Sequence, residues 1–440
     1  MNISVFGLGY VGCVSAACFA EMGHKVIGVD VKPSKVKMIN KGISPIVEKD
    51  IDVLIKRQVD EGNLSATQNT TKAVRNSDVI FICVGTPSNS NGSIDFSYVD
   101  RVCGQIGRAL KYKKSFTSVV LRSTVLPGIP EKIAIARLEE YSGKKAGKDF
   151  GFALNPEFLR ESTSVYDFYH PPKTVIGELD EKTAEILEEM YRPIDDKIFR
   201  IGIGEASMIK YSDNAFHAIK VAFANEIGRI CKEHHIDSRK VMQVFTSDTK
   251  LNLSPYYLKP GFAFGGSCLP KDLRAITHEA KQKDIAVPLL DAAMESNMEH
   301  IHHALDMVRG NGRKRIGVLG LSFKGGTDDL RESPIVNMVE QLIGKGYKIR
   351  IYDKNVSMAR LIGSNKDYIK RYVPHIAKLM SDSVQDVLDH SDVVVVGNKA
   401  REHEVILGDL KNGHKIIDLT GLDNATNGNL KEVDYEGICW

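Results

Sequence analysis

Residues 264–272 read Phe-Gly-Gly-Ser-Cys-Leu-Pro-Lys-Asp, which sets the thiol of Cys268 behind two glycines and just ahead of Lys271 and Asp272. Pro270 suits the first turn of a helix, and the residues from Asp272 onward carry a helical pattern. Cys268 is therefore expected at a helix N-terminus, where the helix dipole and Lys271 both favour thiolate over thiol. A thiolate so placed can attack a carbonyl and hold an acyl group as a thioester. The competing reading is an inert buried cysteine. The flanking glycines and charges favour the nucleophile.

A second constellation lies at the other end of the chain. Residues 2–12, Asn-Ile-Ser-Val-Phe-Gly-Leu-Gly-Tyr-Val-Gly, lead from an apolar strand into Gly-x-Gly-x-x-Gly, and residues 24–30 form a second strand ending in Asp30. In this fingerprint of Gly7, Gly9, Tyr10, Val11 and Gly12, the glycines allow a tight turn, the approach of a pyrophosphate and close helix–strand contact. Asp30 can accept hydrogen bonds from an adenosine ribose and would repel a 2′-phosphate, so the predicted cofactor is NAD rather than NADP. Lys35, on the helix that follows, either helps neutralise the cofactor or is simply solvated.

Two loops join this group. Val-Gly-Thr86-Pro and Arg-Ser-Thr124-Val-Leu-Pro-Gly each end an apolar strand. Ligands of an open α/β sheet lie beyond the carboxyl ends of its strands, so Thr86 and Thr124 are expected to face the cofactor, with ordinary turn capping as the alternative. Asn155-Pro-Glu-Phe-Leu-Arg-Glu161 spaces Glu157 and Glu161 one helical turn apart, which predicts a common face.

These groups need a scaffold, and the chain repeats its own. Lys314 to Gly326 is another strand-to-glycine turn, Tyr347 to Asp353 a strand ending in an acid, and Ser391 to Gly397 parallels Ser77 to Gly85. Near-continuous Val/Ile runs alternating with helical patterns mean parallel sheets buried on both faces. Between the halves, Glu205 to about His235 reads as one long helix, on which Lys210, Asn214, His217, Val221 and Asn225 fall on a single stripe. Ile209, Phe216, Ile219, Ala222 and Phe223 are expected to supply apolar contacts beside it, and such a helix could pair with a two-fold mate. The predicted fold is α/β: a dinucleotide-binding Rossmann domain over 1–202, a helical central domain over 203–305, and a C-terminal Rossmann-like domain over 306–440 holding a different nucleotide.

Composition fits a soluble enzyme. A chain of 440 residues supports two or three domains, and a net charge of +3 without a basic block gives no footprint for nucleic acid or a membrane surface. The seven cysteines are scattered without C-x-x-C, which argues against a disulfide framework or a metal site and for a reducing compartment. The apolar N-terminus reads as a strand rather than a signal peptide, and the chain is expected to be cytoplasmic.

The motifs together resemble the UDP-glucose/GDP-mannose dehydrogenase family. Phe-Gly-Leu-Gly-Tyr-Val-Gly, Val-Gly-Thr-Pro, Arg-Ser-Thr-Val-Leu-Pro-Gly, Asn-Pro-Glu-Phe-Leu-Arg-Glu, Phe-Gly-Gly-Ser-Cys-Leu-Pro-Lys-Asp and Ser-Phe-Lys-Gly-Gly-Thr-Asp-Asp-Leu-Arg-Glu-Ser-Pro carry the likeness across residues 6–334. Residues 250–264 and the terminal Glu-Gly-Ile-Cys-Trp are most similar to its GDP-mannose branch, which serves alginate synthesis. Lys259 departs from that branch's arginine, so a bidentate phosphate contact becomes a point charge. The resemblance implies oxidation of a sugar C6 alcohol to a carboxylate with two NAD+ and one water. Cys268 would form the thioester, and Lys210 or a water on Asp272 would take the first proton. Lys210 and Asn214 would stabilise oxyanions, while Glu157 and Thr124 would serve hydrolysis. It further implies GDP-sugar contacts from Glu161, Lys210, Asn214, His217, Asn225, Tyr256, Tyr257, Lys259, Phe262, Gly265 and Lys324, NAD contacts from Lys271 and Arg331, and an intertwined homodimer. A UDP-sugar substrate, or a two-electron hydroxyacid dehydrogenase, remains the alternative reading.

Overall fold

The computed structural model describes residues 1–233, 235–249, 259–282, 284, 287–310, 312–356, 371, 374–400, 403, 413–422 and 434–440. Two compact units divide the chain, Met1–Asp213 and Asn214–Trp440.

The first unit is built on eight strands: β1 (Asn2–Phe6), β2 (Lys25–Val29), β3 (Leu64–Thr67), β4 (Val79–Ile82), β5 (Ser118–Leu121), β6 (Gly151–Leu154), β7 (Thr174–Glu178) and β8 (Ile198–Gly202), in spatial order β3-β2-β1-β4-β5-β6-β7-β8. β4, β5 and β6 are buried at every position. Helices Tyr10–Glu21 and Ile51–Asp60 pack on one face of the sheet, and Ser97–Leu110 and Ala136–Ser142 on the other. Val, Ile and Phe suit this two-sided burial. The sheet is not wholly parallel as expected from sequence: β7 runs antiparallel to β6, and β8 pairs parallel to β7. Register matters most for function. Phe6 lies opposite Ile82, Ile82 opposite Leu121, and Leu121 opposite Leu154, so four strands end in line. The segments that follow them, beginning at Gly7, Cys83, Arg122 and Asn155, leave from one edge.

The long helix is Ile203–Glu233, and the division between the units falls inside it. Phe216 and Phe223 are 44% and 40% exposed within this chain, in contrast to the packed role expected of them. The second unit continues with helices Ser238–Ser247, Leu269–Gln282 and Pro288–Arg309. A parallel sheet of β9 (Arg315–Leu319), β10 (Lys348–Tyr352), β11 (Val393–Val396), β12 (Lys415–Asp418) and β13 (Asp434–Gly437) follows, in order β10-β9-β11-β12-β13.

The internal echo extends to single hydrogen bonds. Asp30 Oδ2 accepts from the Leu8 amide at 2.8 Å, and Asp353 Oδ2 accepts from the Leu321 amide at 2.8 Å. Gly7 and Gly320 both take positive φ, +94° and +88°. The halves then diverge. Asp353 also accepts from the Ser322 amide, the Ser322 hydroxyl and the Asn398 amide group, and the next helix begins only at Pro334.

Candidate active site

In the first unit the glycine turn is dictated by contact. A Cβ on Gly7 would lie 2.8 Å from the Cys83 carbonyl oxygen, and one on Gly12 only 1.8 Å from the carbonyl oxygen of Gly7. Gly9 has open space where a Cβ would project, and it precedes a helix whose N-terminus no side chain caps. That combination suits an anion, because the first-turn N–H groups and the positive dipole end face the gap. Tyr10 and Val11 open the helix. The Val11 side chain packs toward the core, while the Tyr10 hydroxyl donates to Glu48. Asp30 Oδ1 accepts from the Lys32 amide at 2.8 Å. Lys35 is not a solvated lysine: its ammonium donates to the Leu8 carbonyl at 2.7 Å and lies 3.8 Å from Asp30. Thr86 Oγ1 donates to the Thr124 carbonyl at 3.1 Å, tying together the loops after β4 and β5.

Glu157 and Glu161 do not share a helical face. Residues 155–160 are irregular, and the next helix is Ser164–Tyr169. Pro156 lacks an N–H, Glu157 Oε2 accepts from the Leu159 amide at 2.7 Å, and Ser162 takes φ +74°, so the segment closes on itself instead of winding. Glu157 Oε1 meets the Lys210 ammonium at 3.0 Å, with both side chains less than a tenth exposed. Burial pushes this carboxyl up, yet the charge and hydrogen bond of Lys210, helped by the Leu159 amide and Arg122, hold it below its usual value. Glu157 is thus a buried, ionised carboxylate. Lys210 is its counter-ion.

In the second unit Cys268 immediately precedes helix Leu269–Gln282, and its carbonyl accepts the Asp272 amide at 2.8 Å. It is the one exposed cysteine of the seven. Burial pushes the thiols of Cys13, Cys18, Cys83 and Cys439 up to about 12, which makes them poor nucleophiles at neutral pH. The Ser267 hydroxyl lies 3.7 Å from the Cys268 sulfur. One turn along, Asp272 is 1% exposed and accepts from the Asn214 amide group. The Lys271 ammonium stands 3.0 Å from Asp272 Oδ1, an ion pair without hydrogen-bond geometry.

The glycines ahead of the thiol are set by neighbours. A Cβ on Gly265 would lie 2.5 Å from the Glu332 carbonyl oxygen, and one on Gly266, at φ +84°, would lie 2.8 Å from the Phe323 ring. The turn 321–333, which carries Lys324 and Arg331, therefore lies against the Cys268 loop. Arg274 reinforces this with a bidentate ion pair to Glu332. Arg331 is paired with Asp329 through its Nε at 2.9 Å. His217 is half-buried, and Lys259 is exposed. Asn225, expected to meet a sugar, accepts from the Gly261 amide at 3.1 Å and donates to the Phe262 carbonyl at 3.3 Å. Phe262 itself packs on the core beneath the second sheet. Tyr256 and Tyr257 lie outside the described residues.

Sequence reasoning missed several groups. Asn297 clamps the Phe264 backbone through both its amide and its carbonyl, at 2.8 and 2.9 Å. His300 lies 2.7 Å from the Gly261 carbonyl through Nε2 and 2.8 Å from the Arg229 guanidinium through Nδ1. Glu48 and Asp167 hold the segment after β6. None of these sits in a recognisable motif. Their only signal is a polar residue type at a buried position, which a single sequence does not reveal.

A parallel sheet of order 3-2-1-4-5-6, a glycine turn at an uncapped helix N-terminus and an acid after the second strand define a dinucleotide-binding oxidoreductase. In the second unit an exposed thiol stands at a helix end. The chain belongs to the UDP-glucose/GDP-mannose dehydrogenase family: it matches that family's NAD binding domain over residues 1–195, its central domain over 204–299 and its UDP binding domain over 317–422. It is 50% identical to GDP-mannose 6-dehydrogenase of Pseudomonas aeruginosa over 440 residues, all of both chains. It is 35% identical to UDP-glucose 6-dehydrogenase of Haloferax volcanii, with 90% of each covered. Among solved structures it is similar to a UDP-glucose dehydrogenase from Pyrobaculum islandicum, with a TM-score of 0.89 at 31% identity, covering 100% of this chain and 98% of that one. It is also similar to a GDP-mannose dehydrogenase ternary complex from Pseudomonas aeruginosa, with a TM-score of 0.58 at 50% identity over all of both chains. It is an NAD-dependent oxidoreductase by that membership. Among the described residues no helix is long and apolar enough to cross a membrane.

Proposed function

We propose that the chain oxidises C6 of GDP-mannose from alcohol to carboxylate through a thioester on Cys268, with two NAD+ and one water used per sugar. The observation that carries this is the single exposed thiol of the seven, at a helix N-terminus beside Lys271 and Asp272. Full-length identity of 50% to a GDP-mannose 6-dehydrogenase supports the substrate.

NAD bound at the Gly7–Gly12 turn supplies hydride acceptance, once for the alcohol and once for the thiol adduct. Gly9 and the first helical amides would hold the pyrophosphate and Asp30 the ribose, Lys35, Lys271 and Arg331 would add positive charge, and Thr86 and Thr124 would face the nicotinamide. A water held by Asp272, or Lys210 once its ammonium has passed a proton to Glu157, receives the hydroxyl proton as the first hydride leaves. The Lys210 ammonium and the Asn214 amide stabilise the oxyanions. The Cys268 sulfur adds to the aldehyde carbon, giving a thiohemiacetal whose oxidation yields the thioester. Ionised Glu157, with Thr124 alongside, accepts a proton from the attacking water. The carbon–sulfur bond breaks, and thiol and acid are released. Glu161, His217, Asn225, Tyr256, Tyr257, Lys259, Phe262, Gly265 and Lys324 hold the sugar nucleotide.

The three-part division at 202/203 and 305/306, a homodimer paired through the long helix, a cytoplasmic location and a role in alginate synthesis belong to the same proposal. The exposed Phe216 and Phe223 support the dimer. A UDP-sugar is the second reading, favoured by the match of residues 317–422 to a UDP binding domain. The test is reduced cofactor counted per sugar nucleotide consumed. Two NADH from GDP-mannose, none from UDP-glucose, and loss of acid formation with retained NAD+ binding in Cys268→Ser are expected. One NADH per sugar, or full acid-forming activity in Cys268→Ser, would refute the thioester route.

A further inference from the structure

Glu48 lies in the loop between helices Pro33–Ile39 and Ile51–Asp60, with no place in the fingerprint and no role in the chemistry above. It is nevertheless only 7% exposed and hydrogen-bonded on both oxygens. Oε2 accepts from the Tyr10 hydroxyl and, at 2.9 Å, from the Ser162 amide, 114 residues away in sequence. Oε1 accepts from the amides of Lys49 at 3.1 Å and Ser164 at 3.4 Å. One oxygen thus joins the residue after Gly9 to the segment that carries Glu157 and Glu161.

That segment has no helical or sheet ladder to shape it. Ser162 is held at φ +74°, a conformation unfavourable for a residue with a Cβ, and it presents its amide to Glu48. From the far side Asp167, 2% exposed, accepts from the Arg160 amide at 3.0 Å and the Thr163 hydroxyl at 2.9 Å. Two buried carboxylates therefore set the path of residues 160–164.

We propose that Glu48 is a positioning residue that latches the cofactor turn to the Glu157–Ser164 loop, so that dinucleotide binding at Gly9 and Tyr10 orders the sugar-side carboxylates. The proposal rests on the dehydrogenase reading above for its sugar, but not for its latch. A carboxylate is required chemically. The three amides can only donate, so glutamine must turn its own NH2 toward at least one of them and leave a buried donor opposed.

The test compares wild type, Tyr10→Phe and Glu48→Gln by amide hydrogen exchange over 159–164 with and without saturating NAD+, and by steady-state kinetics. In wild type NAD+ should slow exchange there, and in both variants that slowing should be lost. The sugar-nucleotide KM should rise about tenfold in each, the size of one charge-assisted hydrogen bond, without adding in the double variant. Should Glu48→Gln fail to fold, Tyr10→Phe, which removes one hydroxyl, carries both readouts. Slowing by NAD+ that persists in the variants, absence of slowing in wild type, or a fall in melting temperature with unchanged KM would each overturn the latch. A wild-type protein that makes no NADH from either sugar nucleotide would instead sink the catalytic reading, leaving the exchange comparison to judge Glu48.

Discussion

Replacing Lys210 by methionine should convert Glu157 from an ionised group into a proton-holding one. The pair stands at 3.0 Å with both side chains under a tenth exposed. At an effective dielectric near 20, a separation of this size corresponds to about 5 kcal/mol of attraction, most of it spent offsetting desolvation. Removing the lysine leaves burial, already the largest influence on this carboxyl, opposed only by the Leu159 amide and the more distant Arg122. Breaking a buried pair typically costs roughly 3–5 kcal/mol, equivalent to about 2–4 pKa units. In wild type the depressed carboxyl contributes stability in full above its unfolded value and loses it only as pH falls through the folded one. In Lys210→Met the folded value is raised, so the penalty should be small near pH 5 and grow to roughly 3–5 kcal/mol by pH 8.5. Urea midpoints of the two proteins across that range provide the assay, with Lys210→Met/Glu157→Gln as the control that removes the pH dependence. Equal destabilisation of Lys210→Met at both ends of the range would refute the reasoning, because an unpaired buried charge must titrate.

Iodoacetamide should alkylate Cys268 first and abolish acid formation, while peptide mapping finds Cys13, Cys18, Cys83 and Cys439 unmodified until the chain is unfolded, as their burial and pKa values of about 12 require. Glu157→Gln should release both NADH of a first turnover but accumulate the sugar thioester on Cys268, visible by intact mass, with steady-state turnover slowed on the order of 10²-fold or more by loss of the base. His300, driven down to about 4 chiefly by burial and by the nearby Arg229 and His303, is neutral when folded. Stability should therefore rise between pH 4 and 6.5, by up to about 3 kcal/mol, and His300→Gln should flatten that rise in denaturant midpoints.

The parts legible in the sequence are those in which local pattern and tertiary need coincide. Gly7 and Gly12 occur where a Cβ would strike a carbonyl, and the Val/Ile runs of β4 and β11 are buried throughout because both faces are covered. The long helix announces itself by its length without proline. Spacing misleads where tertiary contacts override it. Glu157 and Glu161 have helical spacing, but Pro156, the left-handed Ser162 and the pull of Glu48 and Asp167 break the turn. β7 and β8 are short and partly polar, and the reversal of β7 against β6 leaves no trace in periodicity. Asn225 lies on the expected stripe, yet its amide is committed to the Gly261 and Phe262 backbone.

The crowding around Asp353 bears on timing. Leu321, Ser322 and Asn398 all donate to its Oδ2, the counterpart of Asp30 Oδ2, so that oxygen is already committed where a second dinucleotide would dock. On the proposed two-hydride route, the berth at Gly7–Gly12 would be vacated and refilled midway. The half-processed hexose would then have to outlast its first oxidant, and a covalent mooring on sulfur would keep a reactive aldehyde from drifting away during the exchange.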